Sequence, residues 1–380
     1  MRLEADWIRA AGLQRLLGLI GAAGHRAYLV GGCVRNALLG LPVADIDIAT
    51  DARPETVAAI AAAAGLRVVP TGIDHGTVTV IVDGVAHEVT TFRRDVATDG
   101  RRATIAYAAT IEEDAARRDF TMNALYADAE GRILDPLGGL GDLMARRVRF
   151  VGDPEARIRE DYLRILRFFR FHAWYGDPAA APDPQGLAAC ARNRAGIETL
   201  SRERIGHEMR RLLAAPDPVR AVLAMAGAGI LALVLPGADA DLLARAVPLE
   251  AGRAPDWLGR LAALGGEDPA SALRLSRREA RRLAAIREAA CGVAGAAEIA
   301  YREGAETARA AMILRAARHG APLPDDLEQT IAKGAGAVFP VRAADLKGRF
   351  AGPDLGARLS ELEARWIASG FELSREQLLA

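Results

Sequence analysis

The spacing of apolar residues over the first 92 positions predicts a mixed α/β unit. Within residues 1–27 the apolar side chains recur near helical spacing, which predicts an amphipathic helix built on Trp7, Ile8, Leu16, Leu17 and Ile20. Two strands are predicted next. The first, AYLVGG, is a short apolar run that ends in a glycine turn, and the second, ADIDIAT, alternates apolar residues with acids.

A β-hairpin gives the clearest local signal in the chain. In TVTVIVDGVAHEVTTF, two β-branched runs flank Asp83-Gly84, a dipeptide favoured in two-residue hairpin turns. Residues 93–109 are charged and only weakly periodic, and we expect them to form a mobile loop. From about Glu155 the spacing is helical almost to the end. The chain is therefore predicted to be α+β, with an N-terminal head that contains a mixed β-sheet and helices, followed by an all-helical portion.

Charge and composition narrow the class of protein. The 380 residues suffice for two or more domains, and 49 basic residues balance 49 acidic ones. This balance lacks the basic excess that is typical of nucleic-acid binders, although residues 146–211 hold 14 arginines against 9 acids. Cys33, Cys190 and Cys291 show no metal-binding or paired spacing, which favours a reducing compartment and hence the cytoplasm.

Neither export nor membrane insertion is expected from the sequence. The first residues show no basic region followed by an apolar core, so no signal peptide is predicted. The longest uncharged run, residues 221–238, is rich in alanine and glycine and contains Pro236. It is predicted to be a buried helix and not a membrane span.

Two closely spaced carboxylates are the first candidates for chemistry. In a strand, residues two positions apart face the same way, so Asp45 and Asp47 are predicted to project side by side. Two such charges repel unless a cation lies between them, and hard oxygen ligands suit Mg²⁺, which is commonly held by a few carboxylates and substrate phosphates. The alternative is an ordinary pair of solvated surface acids.

A glycine turn precedes these carboxylates. Gly31 and Gly32 follow a predicted strand and open a predicted helix, so their amides can approach a phosphate, with Arg35 as a cation beside it. Glu88 on the second hairpin strand is a third carboxylate, although it is equally well explained as an exposed strand residue. Together these residues fit a nucleotidyl-transfer site in which two metal ions bridge a triphosphate and activate an attacking hydroxyl.

Several motifs resemble those of class II tRNA nucleotidyltransferases, which are the CCA-adding enzymes, and of the related bacterial poly(A) polymerases in the DNA polymerase β superfamily. The resemblance spans about residues 28–283. It rests on LVGGCVRNALLGLPVADIDIAT, RRDFTMNALYAD, DPLGGLGDLMARRVRFVG, EDYLRILRFFRF, RERIGHEMRRLL and LRLSRREARRL. It implies a catalytic head (1–140), a neck for nucleobase recognition (141–214), a body (215–300) and a tRNA-binding tail (301–380). Asn36 stands where the family usually has Asp, which puts an ionic role at this position in doubt.

The segment EDYLRILRFFRF is predicted to be one helix with Asp161, Arg164 and Arg167 along one face. A surface salt bridge over an amphipathic helix would explain this face without any further role. A functional role follows from hydrogen-bond chemistry, because an ionised Asp accepts and an Arg donates, which complements cytosine and adenine and mismatches guanine and uracil. The resemblance implies this role for Asp161 and Arg164, with Glu160 and Arg167 in support.

The segment RRDFTMNA has two explanations. Arg117 and Arg118 could bind phosphate, and Asp119 and Asn123 could bind the ribose hydroxyls, as the resemblance implies. Asp119 could equally be a helix N-cap. In the segment between the head strands and this motif, the charged residues expected to act on the bound nucleotide are Asp99, Arg101 and Arg102.

The function implied is template-independent addition of CCA to tRNA from CTP and ATP with Mg²⁺, without a protein or membrane partner. A poly(A) polymerase, a partial enzyme that adds only CC or only A, and an inactive tRNA-binding protein are the alternatives. The chain ends in FELSREQLLA without the basic extension of the poly(A) polymerases, and the segment 93–116 is retained, unlike in CC-adding members. Asp45, Asp47 and Glu88 together speak against an inactive protein.

Overall fold

A seven-stranded mixed sheet forms the framework of the N-terminal part of the chain, and two further strands form a separate hairpin. The computed structural model describes residues 1–73, 76–99, 102–250 and 252–380. The strands are β1 Ala27–Val30, β2 Asp47–Thr50, β3 Arg67–Gly72, β4 Thr77–Val82, β5 Val85–Thr91, β6 Arg93–Asp99, β7 Arg102–Tyr107, β8 Tyr126–Ala127 and β9 Ile133–Leu134. The seven-stranded sheet has the order β3-β4-β5-β2-β1-β8-β9.

The register of the central strands is what positions the candidate carboxylates. Strands β2 and β5 are parallel and pair Asp47 with Glu88, whereas all other neighbours in the sheet are antiparallel. The next pair, Ile48 and Val89, is buried, because alternate residues of a strand face opposite sides of the sheet. The predicted β4–β5 hairpin is confirmed: Val82 pairs with Val85 across the Asp83-Gly84 turn, where both residues have positive φ.

The predicted N-terminal helix is interrupted. A short 3₁₀ helix, Asp6–Arg9, precedes helix α1, Ala11–Ala22, and the backbone between them leaves the helical region at Ala10, with φ −58° and ψ 126°. Ile8, Leu16, Leu17 and Ile20 are buried as the spacing predicted, and Trp7 is half-buried. The prediction of one helix over residues 1–27 was therefore wrong at both ends and at Ala10, because only residues 11–22 form an α-helix. Apolar spacing alone reports neither the ends of a helix nor a bend in its backbone.

The prediction of a mobile loop over residues 93–109 was wrong. Strands β6 and β7 pair with each other from Arg93–Tyr107 to Asp99–Arg102. The base of this hairpin continues the sheet, since the Phe92 amide donates to the Thr50 carbonyl and the Ala108 amide donates to the Phe92 carbonyl. Residues 93–109 are charged and only weakly periodic, so the sequence lacks the alternation of apolar and polar residues by which strands are recognised.

The remainder of the chain is mainly helical, as predicted, with short connections between successive helices. The α-helices that follow α1 are α2 Gly32–Leu38, α3 Pro54–Ala63, α4 Ile111–Ala116, α5 Gly139–Met144, α6 Pro154–Glu160, α7 Leu163–Tyr175, α8 Pro184–Arg192, α9 Arg202–Leu213, α10 Val219–Gly227, α11 Ile230–Val234, α12 Ala240–Ala246, α13 Trp257–Leu264, α14 Pro269–Ala272, α15 Arg277–Cys291, α16 Ala296–Glu303, α17 Ala305–His319, α18 Leu327–Ala335, α19 Ala343–Leu346, α20 Gly352–Ala368 and α21 Arg375–Leu379.

The uncharged run 221–238 does not form one long helix. Its two helices, α10 and α11, are separated at Gly229, which has φ +69°, and several of their side chains are buried. Within the described residues, every helix is too short or too polar to cross a membrane.

The chain divides into two compact units. The first contains residues 1–208 and 220–234, and the second contains residues 209–219 and 235–380. The candidate head and most of the candidate neck thus lie in one unit. The finer division at residues 140, 214 and 300 stays a prediction.

Candidate functional site

The candidate metal-binding carboxylates lie at the edge where β2 begins. Asp47 is the first residue of β2 and is paired with Glu88 of β5, and both are solvent-exposed. Asp45 is also exposed, but it precedes the strand, so the prediction that Asp45 and Asp47 share one strand face was wrong. The strand begins late because only residues from Asp47 onward have a partner on β5.

The electrostatics of Asp47 indicate an accumulation of negative charge. Partial burial raises the pKa of its carboxyl group, and the charges of Glu88 and Asp45 raise it further, while Arg118 acts in the opposite direction. A cation at this position would relieve the repulsion among the three carboxylates. The chemistry of the donor set, carboxylate oxygens open to solvent, fits Mg²⁺.

The three acids do not make a closed metal site by themselves. In residues 1–73, 76–99, 102–250 and 252–380, no three His, Cys, Asp or Glu side chains are arranged as a metal-binding cluster. Mg²⁺ commonly takes only one or two ligands from the protein and completes its shell with water and substrate phosphates. The arrangement therefore fits a metal that is bound together with its substrate.

The glycine turn lies directly beside a guanidinium group. Gly31 has φ +74° and precedes the first residue of α2, and a Cβ atom at this position would lie 3.2 Å from Nη1 of Arg118. The Gly31 amide donates to the Leu125 carbonyl at 3.1 Å, which ties the turn to the segment that carries the arginine. The positive φ favours glycine here, and a Cβ atom would in addition displace Arg118 by a few tenths of an ångström.

Arg35 occupies a different position from the one expected of a phosphate ligand. It is 7% exposed, and burial lowers the pKa of its guanidinium group. It donates to the Asn123 side chain and to the Tyr175 hydroxyl, and it lies 3.9 Å from the centre of the Tyr175 ring. It also donates to the Asn36 side chain, which in turn donates to the Pro42 carbonyl at 2.9 Å. These contacts give Arg35 a structural role, and a phosphate contact stays a prediction.

Arg117 and Arg118 are both held by one buried carboxylate, Asp114 of α4. Arg117 donates to its Oδ1 through Nε and Nη2, and Arg118 donates to its Oδ2 through Nη2 at 2.9 Å. The Tyr126 hydroxyl donates to the same Oδ2 at 2.7 Å. Burial alone would raise the pKa of Asp114, but the two arginines and the tyrosine hydroxyl outweigh it and lower this pKa to about 2.

Asp119 and Asn123 form the centre of a second buried network. Asp119 accepts from the Asn123 amide and the Phe120 backbone amide through Oδ1, and from Arg167 through Oδ2. The 3₁₀ helix Thr121–Asn123 has no side-chain cap, so the structure does not bear out the N-cap explanation for Asp119. The chain of contacts from Arg35 through Asn123 and Asp119 to Arg167 joins α2 to α7. Contacts to a ribose stay a prediction.

This network has a testable effect on stability. Asp119 is buried, which would raise its pKa, but Arg167 and Asn123 outweigh the burial and lower the pKa from 3.8 to about 2. Because the folded state has the lower pKa, Asp119 contributes full stability above about pH 4 and loses it as the pH falls towards 2. This contribution is about 2 kcal/mol of unfolding free energy.

We therefore expect the stability difference between the native chain and Asp119→Asn to shrink by about 2 kcal/mol between pH 6 and pH 2.5. Urea unfolding of both proteins at several pH values measures it. A difference that stays constant over this range would show that the carboxylate does not titrate in this way.

The candidate base-reading residues stand at a break between two helices. Helix α6 ends at Glu160 and α7 begins at Leu163, and Asp161 between them is extended, with φ −154° and ψ 107°. The prediction of one continuous helix with Asp161 and Arg164 on a shared face was wrong. The carboxylate of Asp161 accepts from the Leu163 amide, which competes with helical geometry at this point.

Asp161 and Arg164 have different partners. Asp161 accepts from Nη2 of Arg204 at 2.7 Å, and Arg164 donates to Glu160 and to the carbonyl of Arg157. Glu160, which is expected to support Arg164, is thus in direct contact with it, whereas the partner of Asp161 comes from helix α9. All of these residues lie in the first compact unit.

The charged residues of the segment between the strands can be placed only in part. Asp99 ends β6 and Arg102 begins β7, and they pair in the ladder. Arg101 lies outside the described residues.

Sequence reasoning missed three residues at this site: Asp114, Arg157 and Arg204. Asp114 could have been found, because its spacing of three and four residues from Arg117 and Arg118 is that of helical ion pairs. Arg157 is 8% exposed and donates to the carbonyls of Arg117 and Arg118 and to Glu160. Its contact with Glu160 has the local spacing of a helical ion pair, but its contacts with residues 117 and 118 do not. The contact of Arg204 with Asp161, 43 positions away, leaves no local signal either.

Comparison with known proteins shows the family of the chain. The family described as Poly A polymerase head domain matches residues 27–149, and the one described as probable RNA and SrmB-binding site of polymerase A matches residues 181–242. A CCA-adding enzyme of Geobacillus thermodenitrificans (strain NG80-2) is 34% identical, in an alignment that covers 97% of this chain and 96% of that protein. This chain belongs to the CCA-adding enzyme family.

Other members of the CCA-adding enzyme family extend the likeness. The mitochondrial CCA tRNA nucleotidyltransferase 1 of Mus musculus is 31% identical, over 97% of this chain and 89% of its own length. The crystal structure of the Bacillus stearothermophilus CCA-adding enzyme in complex with CTP superposes with a TM-score of 0.76 at 32% identity, covering 94% of this chain and 92% of that one. The likeness to CCA-adding enzymes therefore includes the helical portion as well as the head.

Proposed function

We propose that this chain adds C, C and A to the 3′ ends of tRNA from CTP and ATP, without a nucleic-acid template. The observation that carries the proposal is the parallel pairing of β2 with β5, which sets Asp47 beside Glu88 in the matched head domain. The names of relatives that match along nearly the whole chain support the same activity. The free cysteines Cys33, Cys190 and Cys291 suit a reducing compartment such as the cytoplasm.

The carboxylates at the start of β2 and on β5 would take part in the transfer of the nucleotidyl group to the tRNA. Asp45 and Asp47 would hold Mg²⁺, which when bound activates the attacking hydroxyl and neutralises charge on the triphosphate. Glu88 contributes to the field at the same edge of the sheet, as its effect on the pKa of Asp47 indicates. Arg118 lies beside the Gly31 turn and its charge acts on Asp47, so Arg118 and the turn would supply the positive charge and close backbone that a triphosphate requires.

Base selection is assigned to Asp161 and Arg164. The carboxylate would accept from the exocyclic amine of cytosine or adenine, and the guanidinium would donate to the adjacent ring nitrogen. Guanine and uracil present a carbonyl and a ring N–H at the same positions, so both contacts would be mismatched. A buried polar group left without a partner costs about 1–3 kcal/mol, which is enough to discriminate against them.

The alternatives predict different products. A poly(A) polymerase would extend many RNAs with repeated A, and a partial enzyme would stop after CC or add only the last A. Purified protein is incubated with tRNAs that lack three, two or one of the terminal C, C and A nucleotides. Each nucleoside triphosphate is supplied in turn. Addition of C, C and A in order, ending after A, is expected, and repeated A addition would contradict the proposal.

The hairpin of β6 and β7 is expected to matter more for adding A than for adding C. One Asp/Arg pair must serve a one-ring and a two-ring base, so a neighbouring segment has to adjust the pocket between them. Deleting residues 98–103, which include Asp99, Arg101 and Arg102, should reduce A addition to a tRNA ending in CC by at least about tenfold more than C addition.

Single-nucleotide incorporation with CTP and with ATP measures this difference. A matched control replaces the same six residues by a Gly/Ser segment of equal length, which keeps the connection while removing the charges. Equal loss of C and A addition in the deletion variant would refute a role in adjusting the pocket.

A further inference from the structure

Asp114 accepts hydrogen bonds from four residues at the site. Its side chain is 1% exposed. Oδ1 accepts from Arg117 and from the backbone amide of Arg93, and Oδ2 accepts from Arg118 and Tyr126. It is too deeply buried to contact a nucleotide itself, so any effect on the reaction must pass through the groups that it holds.

Arg118 is the held group that faces the site. Its Nη1 lies beside the Gly31 turn, and its charge lowers the pKa of Asp47 against the effects of burial and Glu88. Two hydrogen bonds hold the rest of the guanidinium group: Nη2 donates to Asp114, and Nε donates to the Tyr126 hydroxyl. This hydroxyl itself donates to Asp114. The guanidinium plane is therefore fixed by a three-residue ring of hydrogen bonds among Asp114, Arg118 and Tyr126.

We propose that Asp114 is a positioning residue that fixes Arg118 between the glycine turn and Asp47, where the guanidinium meets the triphosphate of the incoming nucleotide. This inference rests on the proposed function. An arginine side chain has many rotamers, and fixing one of them before the substrate arrives removes an entropic cost from binding. Asp114 thus acts on nucleotide affinity without touching the nucleotide.

Asp114→Asn removes the charge and one acceptor position while keeping the shape of the side chain. The arginines then lose a charge-assisted contact, and Arg118 is no longer held in one plane. We expect the KM for CTP and for ATP to rise tenfold to a hundredfold, with kcat changed by less than about threefold, because the contact to the triphosphate is made in the ground state as well as in the transition state. The affinity for CTP without tRNA should fall by the same factor as KM rises.

Asp142→Asn is a matched control. Asp142 is 2% exposed and, like Asp114, accepts from two arginines and a hydroxyl, in this case Arg147, Arg149 and Thr121. It has no contact with the glycine turn or with the candidate carboxylates among its hydrogen-bond partners. Its variant should lose stability in the same way, while its KM values per folded molecule stay within about twofold of the native chain.

The outcomes separate the inference from the function on which it rests. A native chain that adds neither C nor A to tRNA contradicts the proposed function. If the native chain is active and the two Asp→Asn variants share one KM, Asp114 is merely structural and the inference is overturned. Should Asp114→Asn fail to fold, Tyr126→Phe is the second variant, because it removes only the tyrosine hydroxyl from the hydrogen bonds that hold Arg118. A rise in the KM for CTP of about threefold or more supports the inference, and an unchanged KM overturns it.

Discussion

Asp47→Ala is expected to slow nucleotide addition by at least about a thousandfold while leaving tRNA binding near normal. Asp47 is exposed at the start of β2 although its carboxyl group is partly desolvated, so its removal relieves repulsion with Glu88 and Asp45 and does not open a buried cavity. The loss would come from the proposed role of Asp47 as a ligand of Mg²⁺ in nucleotidyl transfer. Asp45→Ala should have an effect of similar size.

The rate of single C addition at saturating CTP and Mg²⁺ measures this effect, and circular dichroism verifies the fold. Glu55→Ala is a matched control, because Glu55 is an exposed acid of α3 outside the site and its loss should change the rate by less than about twofold. A variant of Asp47 that keeps more than about a tenth of the native rate, a loss below ~1.4 kcal/mol in barrier, would place the metal elsewhere.

Arg164→Ala should lower incorporation of both CTP and ATP and relax the rejection of UTP and GTP. The guanidinium donates to Glu160 and to the Arg157 carbonyl, and these contacts hold it against the last turns of α6. Removing it leaves the ring nitrogen of a correct base unpaired and removes the donor that conflicts with a ring N–H. A contact to a charged group is worth about 1.5–3 kcal/mol, so discrimination should fall tenfold to a hundredfold.

Incorporation of each of the four triphosphates into a tRNA that ends before CCA measures discrimination directly. Arg192→Ala is the control, because Arg192 is exposed and pairs with Glu155, and its loss should at most weaken tRNA binding without changing base choice. If Arg164→Ala slows CTP and UTP incorporation by the same factor, the residue only supports the fold.

Local features of the fold were predictable because they depend on neighbours in the sequence. The hairpin around Asp83-Gly84 follows from two β-branched runs and a turn dipeptide with positive φ. The strand before Gly31 follows from a short apolar run. The β6–β7 hairpin escaped prediction, since its sequence is only weakly periodic and its base is tied to Thr50 of a distant strand.

Residues of the candidate site could be proposed by type and spacing, but not their partners. Asp47 and Glu88 were proposed together, and their adjacency depends on a parallel register between strands 41 positions apart. The sequence predicts one continuous helix with Asp161 and Arg164 on the same face, whereas the helix break leaves Asp161 extended and paired with Arg204. Ion pairs across long sequence separations depend on tertiary packing, which no local pattern reports.

The interruption of the helix at Asp161 bears on how base preference could change during evolution. The two proposed reading groups are held separately, Asp161 by Arg204 and Arg164 by Glu160. Substitution of either group leaves the apolar stripe of α7, formed by Ile165, Leu166 and Phe169, in place. Each substitution also leaves one charged partner, Arg204 or Glu160, without its ion pair, which lowers stability. Directed evolution towards UTP or GTP should therefore vary the two members of each pair together.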